Sequence, residues 1–243
     1  MDISSARTLI IGGSRGTGKA LAEKLNTAGA NVTVVARKQA SLDQLASGIT
    51  TIATDASADG EAEHLFDQVR PDLLILAGGH QTRMASFADM DWAEFSATWN
   101  IDVKIAHAFM ALALTRPMAP GGRVVSFSSG AALNGSPLSG GYAGAKRMQH
   151  YLANYAQREA DLRQLDLTFT TIIPAQLMAG SSIGVAAAEA YGAASGGSAE
   201  KFMAQWSSPL TPDRAADCVM AHLTEAGPAG AYKVTGEGMA ALA

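Results

Sequence analysis

Cysteine, aromatic side chains and charge are all scarce in this chain. The one cysteine, Cys218, excludes an internal disulfide, and its place in a helical pattern reads as a small core residue rather than a reactive thiol. A net charge of -4 gives no reason to expect nucleic acid or an anionic membrane surface as a partner. No run reaches 18 consecutive apolar residues, and Met1-Asp2-Ile3-Ser4 lacks the basic and apolar regions of a signal peptide, so the expected compartment is the cytoplasm. The five histidines, His64, His80, His107, His150 and His222, show no metal-ligand spacing, and no metal is expected. Trp92 and Trp99 stand seven apart on one expected helix face, which suggests packing or subunit contact rather than a stacking platform. Repeats and interdomain linkers are also missing.

What is present suits one α/β domain over residues 1–243. With 48% hydrophobic residues, a chain of this length buries a substantial core without staples. Apolar strand candidates lie at Thr8–Ile11, Asn31–Ala36, Ile49–Ala53, Leu73–Ala77, Arg123–Phe127, Leu167–Ile173 and Ala231–Thr235. Helical stretches alternate with them near Gly16–Ala28, Ser41–Ala46, Glu61–Val69, Asp91–Thr115, Tyr142–Asp161 and Asp213–Glu225. Strands apolar almost throughout imply a parallel sheet, of about seven strands, covered by helices on both faces. Right-handed crossovers then gather Gly12, Asp55, Ala77, Ser129 and Pro174 on the edge where ligands bind. The segment Leu177–Pro209 is an insertion rich in Ala, Gly and Ser, too light around Tyr191–Ser198 for a rigid wall and suited to a mobile lid.

Two local patterns carry chemistry. Tyr142 and Lys146 stand four apart, on one face of a helix, thirteen residues after Ser129. A lysine cation beside a phenol favours the phenolate, bringing a group with a free pKa near ~10 closer to neutrality. Near the N-terminus, a β-branched run leads into Gly12-Gly13-Ser14-Arg15-Gly16-Thr17-Gly18 and then a helix, a turn whose backbone N–H groups favour a phosphate. A P-loop reading fails because Ala20 stands where a hydroxyl should hold magnesium, and no apolar run downstream ends in the aspartate such a metal needs. The Gly-x-Gly-x-x-Gly/Ala fingerprint read from Gly16 fails at Leu21. Gly-x-x-x-Gly-x-Gly fits.

In this combination the chain resembles the classical branch of the short-chain dehydrogenase/reductase family. The resemblance rests on Gly12-x-x-x-Gly16-x-Gly18, Asp55, Asn100, Ser129, Tyr142-x-x-x-Lys146 and Pro174, in the family's order. Departures are Ile11 where threonine is frequent, Ala77-Gly78-Gly79 in place of Asn-Ala-Gly, and Pro174-Ala175 in place of Pro-Gly. The resemblance implies a Rossmann-type doubly wound sheet and an oxidoreductase that interconverts a carbonyl and an alcohol. Tyr142 acts in it as general acid/base, Ser129 holds the substrate oxygen, and Lys146 also holds the nicotinamide ribose. Asn100 anchors a water that links the lysine to solvent, and Asp55 meets the adenine amine. Cofactor contacts are expected at Gly12, Ser14, Arg15, Gly16, Thr17, Gly18, Arg37, Asp55, Ala77, Gly78, Tyr142, Lys146 and Pro174.

After the second strand an acidic residue usually meets the ribose diol of NAD, but here Ala36-Arg37-Lys38 follows, with Arg15 in the glycine turn. Two arginines suit a 2′-phosphate, each charge-assisted hydrogen bond contributing roughly 1.5–3 kcal/mol, so NADP(H) is the expected cofactor. The expected substrate is small and apolar or aromatic. A cofactor-binding sensor, or a non-redox lyase or cyclase on the same fold, is the alternative, and the intact Ser129, Tyr142 and Lys146 argue against both. The resemblance also implies a homodimer or homotetramer built on Asp91–Thr115 and Tyr142–Asp161, with Ala106, Phe109, Met110, Met148, Leu152 and Tyr155 as candidate contacts.

Overall fold

Alternation of short apolar runs with amphipathic stretches produces a regular succession of strands and helices in the computed structural model, which describes residues 2–116 and 118–242. Strand β1 (Arg7–Ile11) leads through the glycine turn into α1 (Gly16–Thr27). β2 (Asn31–Ala36), α2 (Gln39–Leu42), β3 (Thr50–Ala53), α3 (Glu61–Val69) and β4 (Leu73–Leu76) continue the pattern. Then come α4 (Trp92–Thr98), a π-helical turn (Trp99–Val103), α5 (Lys104–Thr115), β5 (Gly122–Phe127), α6 (Ala131–Asn134), α7 (Tyr142–Leu162) and β6 (Leu167–Pro174). Helices α8 (Ser182–Ala194), α9 (Ala199–Met203) and α10 (Pro212–Thr224) precede β7 (Gly230–Thr235) and β8 (Gly238–Ala241).

The strands form one sheet in the order β3-β2-β1-β4-β5-β6-β7-β8. All pairs are parallel except β7 with β8, a hairpin closing at Thr235↔Gly238. That hairpin strand makes eight where about seven were expected. Chain order reverses between β1 and β4, and the crevice outside that switch point is where open α/β sheets bind ligands.

Successive strand residues point to opposite faces, and the two cores follow that period of two. Leu9, Leu74 and Leu76 turn to one face, where Phe66, Phe109 and Phe169 fill the space beneath α3, α5 and α7. Ile10, Leu73 and Ile75 turn to the other, against Leu21 and Leu25 of α1 and Val219 of α10. Cys218 is buried in this second core, as its helical context implied, and burial pushes its thiol pKa up. Among the described residues no helix is long and apolar enough to cross a membrane.

Two expectations need correction. The stretch Asp91–Thr115 is not one regular helix, because the π turn inserts an extra residue into its winding and re-aims the side chains within it. Ala106, Phe109 and Met110 are also consumed by the protomer's own core, at 0%, 0% and 3% exposure, which leaves their side chains little surface to offer a second subunit. Tyr151, Tyr155, Trp92 and Trp99 are exposed instead.

Phe109→Ala removes a fully buried ring from the first core and should lower unfolding free energy by about 3–5 kcal/mol. Urea unfolding measures this as a lower midpoint at an unchanged slope.

Candidate active site

A cleft of ≈ 890 Å³ opens along the C-terminal ends of the strands. The glycine turn contributes Gly12, Ser14, Arg15, Gly16, Thr17 and Gly18 to it; Arg37 and Asp55 follow β2 and β3; Ala77 and Gly78 follow β4. Ser129, Tyr142, Lys146 and Pro174 complete the expected set. Asn100 is the exception.

The turn's glycines answer two physical demands. At Gly12 the backbone has φ +86°, and a Cβ would lie 2.1 Å from the Cα of Gly78, so strand end and neighbouring loop touch backbone to backbone. At Gly18 a Cβ would lie 2.4 Å from the carbonyl oxygen of Gly12, which lets α1 start directly against β1. Gly16 is different: its φ of +57° favours glycine, but nothing lies within 4 Å of its missing Cβ, and the space in front of the helix start stays open. The N-terminal N–H groups of α1 face that space, the arrangement that receives a phosphate. Thr17 is less free than expected, since its hydroxyl donates to Met178 Sδ at 3.1 Å.

Helix α7 carries Tyr142 in its first turn and Lys146 one turn later. The Lys146 ammonium lies 5.7 Å from the centre of the Tyr142 ring. It is held 3.0 Å from Asp102 Oδ2 and 3.4 Å from the carbonyl oxygen of Phe127 at the end of β5. Ser128 Oγ donates to the backbone carbonyl of Lys146 at 2.7 Å and fixes the helix against β5. Burial pulls the Lys146 pKa down, but the charges of Asp102 and Tyr142 and the bond to Asp102 outweigh it, so the net direction is upward. Lysine therefore remains a cation while 7% exposed. Ser129 Oγ accepts from Ala131 N at 3.2 Å, which steadies its side chain at the start of α6.

Asn100 does not join this group. It is exposed and donates to Ser96 Oγ at 3.3 Å, because the π turn points Asp102 inward instead. Asp102 is fully buried, accepts from His80 N at 2.6 Å through Oδ1, and offers Oδ2 to Lys146. The signal available for it was an acidic residue between apolar Ile101 and Val103, where a solvent-facing position has no need of such neighbours. Asp55 lies at the cleft rim with Oδ1 accepting from Ser57 N and Oγ at 2.9 and 2.7 Å; those bonds, with Arg37 and Lys104 nearby, hold its pKa below the usual carboxylate value.

A family model described as short chain dehydrogenase matches residues 6–189. The chain belongs to that family. It is similar to gluconate 5-dehydrogenase of Gluconobacter oxydans, with 34% identity over 135 residues covering 50% of this chain and 51% of that one. It is also similar to 7beta-hydroxysteroid dehydrogenase of Collinsella aerofaciens, with 30% identity over 154 residues covering 57% of each. The chain thus spans about half the length of the curated relatives it matches. In fold it is similar to 3-ketoacyl-(acyl-carrier-protein) reductase from Brucella melitensis complexed with NADH, with a TM-score of 0.73 and 17% identity over 94% of this chain and 96% of that one. The matching family is one of short chain dehydrogenases, and the neighbour from Brucella melitensis is complexed with NADH.

The open space before Gly16, the two arginines on the adjoining wall and the contact of Gly12 with Gly78 fit a dinucleotide. Across the cleft the insertion folds into α8 and α9. Tyr191 stacks on Phe202 at 5.8 Å, Phe202 meets Trp206 edge-on at 6.0 Å, and all three line the cleft. The Tyr191 hydroxyl lies 2.6 Å from Ser136 Oγ and accepts from Leu138 N at 3.2 Å, tying this wall to the loop after α6.

Gly12→Ala places a side chain at a left-handed φ and against the backbone of Gly78. Strain of that kind costs about 1–3 kcal/mol. The variant should melt at lower temperature and bind NADPH and NADH at least about tenfold more weakly in fluorescence titration.

Proposed function

We propose that this enzyme interconverts a carbonyl and an alcohol on a small apolar or aromatic substrate, with NADP(H) as its cofactor. The observation that carries the reading is the buried Lys146 cation beside Tyr142, opening with Ser129 into one cleft. When bound, the nicotinamide supplies or accepts hydride; the chain's own residues handle the oxygen and its proton. Tyr142 gives its hydroxyl proton to the oxygen as the alcohol forms and takes it back in the reverse direction. Ser129 donates a hydrogen bond to the same oxygen and holds it against the phenol. Lys146 keeps positive potential next to the phenolate and, by the family resemblance, also holds the nicotinamide ribose.

Arg15 and Arg37 on the cleft wall support a 2′-phosphate and hence NADP(H). Asp55, with Oδ2 outside its bonds to Ser57, is assigned to the adenine amine. Leu177, Ile183, Tyr191, Phe202 and Trp206 give the substrate end an apolar and aromatic lining. The exposed Tyr151, Tyr155 and Trp99 support assembly as a homodimer or homotetramer.

A panel of carbonyl compounds with NADPH, followed at the nicotinamide absorbance, tests the reaction. Tyr142→Phe should then lose ~10²-fold or more in turnover with NADPH affinity little changed. Near-full activity in that variant overturns the role of Tyr142. Tight NADPH binding without turnover of any carbonyl or alcohol favours a sensor instead. NADPH should bind more tightly than NADH, and Arg37→Asp should narrow or reverse the preference; equal affinity in the unmodified protein overturns the cofactor assignment.

A further inference from the structure

An aspartate, not an amide, faces the buried lysine. Its two carboxylate oxygens are committed in different directions: Oδ1 to the backbone N–H of His80, Oδ2 to the Lys146 ammonium at 3.0 Å. Among the described residues Oδ2 has no other polar partner. The backbone carbonyl of Asp102 is also occupied, accepting from Gln149 Nε2 at 3.1 Å. Direct contact between carboxylate and ammonium therefore stands where a relay through a held water was expected. Gly79 leaves room for it, since a Cβ there would lie 2.7 Å from Oδ2.

We propose that Asp102 is a positioning residue whose negative charge offsets that of Lys146, setting this site to work at higher pH than a neutral side chain in its place would. The inference rests on the assignment of Tyr142 as the proton-transfer group. Lys146 lies 5.7 Å from the Tyr142 ring, and both Asp102 and Lys146 are removed from solvent, so their charges are weakly screened. An unpaired cation would favour the phenolate strongly; a cation already matched by a carboxylate favours it less.

Other groups around the pair leave this balance intact. On α7 the next titratable groups are Arg147, which lies over the Tyr151 ring, and His150, whose pKa burial and Arg147 both push down. The loop after β4 brings His80, which meets Asp102 through its backbone N–H, and the end of β5 brings the Phe127 carbonyl and the Ser128 and Ser129 hydroxyls. From the wall across the cleft comes Tyr191, bonded to Ser136. The charges that act on Lys146 are those of Asp102 and Tyr142.

The test is read without substrate. Tyrosinate absorbance against pH, for the unmodified protein minus Tyr142→Phe, isolates the titration of one phenol. Repeating the pair in an Asp102→Asn background should move that midpoint down by about one pH unit or more, the size expected for unmasking a neighbouring cation. On a confirmed alcohol substrate, the acid limb of kcat should move the same way while KM changes little. Gly79→Ala keeps the charge but crowds the carboxylate away from the ammonium; it should give a smaller shift in the same direction, and it decides the matter if Asp102→Asn does not fold. An unmoved or raised midpoint in the folded variant overturns the proposal; a rise means that burial discharges Lys146 once Asp102 no longer answers it. Failure of every carbonyl to turn over counts against the proposed reaction, while the phenol titration still reads the role of Asp102.

Discussion

A buried lysine is tolerated only where something answers its charge, and much of the active-site architecture follows from that need. Moving an ammonium out of water costs several kcal/mol even after relaxation, and a single partner at good distance offsets it only with further hydrogen bonds in support. Here the partner is Asp102, and three separate chain segments converge to hold the pair. The π turn aims the carboxylate, the loop after β4 braces it through the His80 N–H, and Ser128 at the end of β5 anchors the helix that carries Lys146. Tyr142 inherits its setting from this arrangement, because it precedes Lys146 by one helical turn.

The cofactor end of the cleft is organised by the opposite device, the removal of side chains. Gly12, Gly18 and Gly78 allow backbone to rest on backbone, so that β1, the start of α1 and the loop after β4 form one compact corner. Two glycines of Ala77-Gly78-Gly79 lie against close neighbours; the alanine at 77 in place of asparagine has no structural explanation. A Cβ on Gly78 would come to 3.2 Å from the Cα of Gly12, and one on Gly79 to 2.7 Å from the Asp102 carboxylate. A motif that looks eroded in one dimension is matched to two neighbours in three.

Most of the sheet was legible because its strands are buried on both faces and so read as apolar runs, as in Leu73–Leu76 and the Leu-Ile-Ile end of β1. β8 was not, since Gly238-Met239-Ala240-Ala241 has no β-branched residue and its pairing comes from the hairpin with β7. Tyr142 and Lys146 were legible because helical spacing ties them locally. Asn100 was expected at the site because the family resemblance carries an asparagine there, in a stretch from Asp91 to Thr115 that reads as one helix. The π turn that holds both residues points Asp102 inward and leaves Asn100 at the surface, and spacing alone carries no mark of such a turn. The apolar face of α5 was likewise open to two readings, core or partner, and the core claimed Phe109.

The π turn at Trp99–Val103 also makes chain length, as distinct from residue identity, a property under constraint. Removing a single residue there would restore ordinary α-helical winding and re-aim the side chains within the segment. The flanking helices would stay nearly where they are, because a π turn takes up about one residue more than an α turn over the same rotation. The segment would look healthier by every local measure of helix formation, yet the carboxylate would leave its ammonium. When relatives of this chain are aligned, a one-residue gap placed in this segment is therefore a change of active-site chemistry written as a change of length.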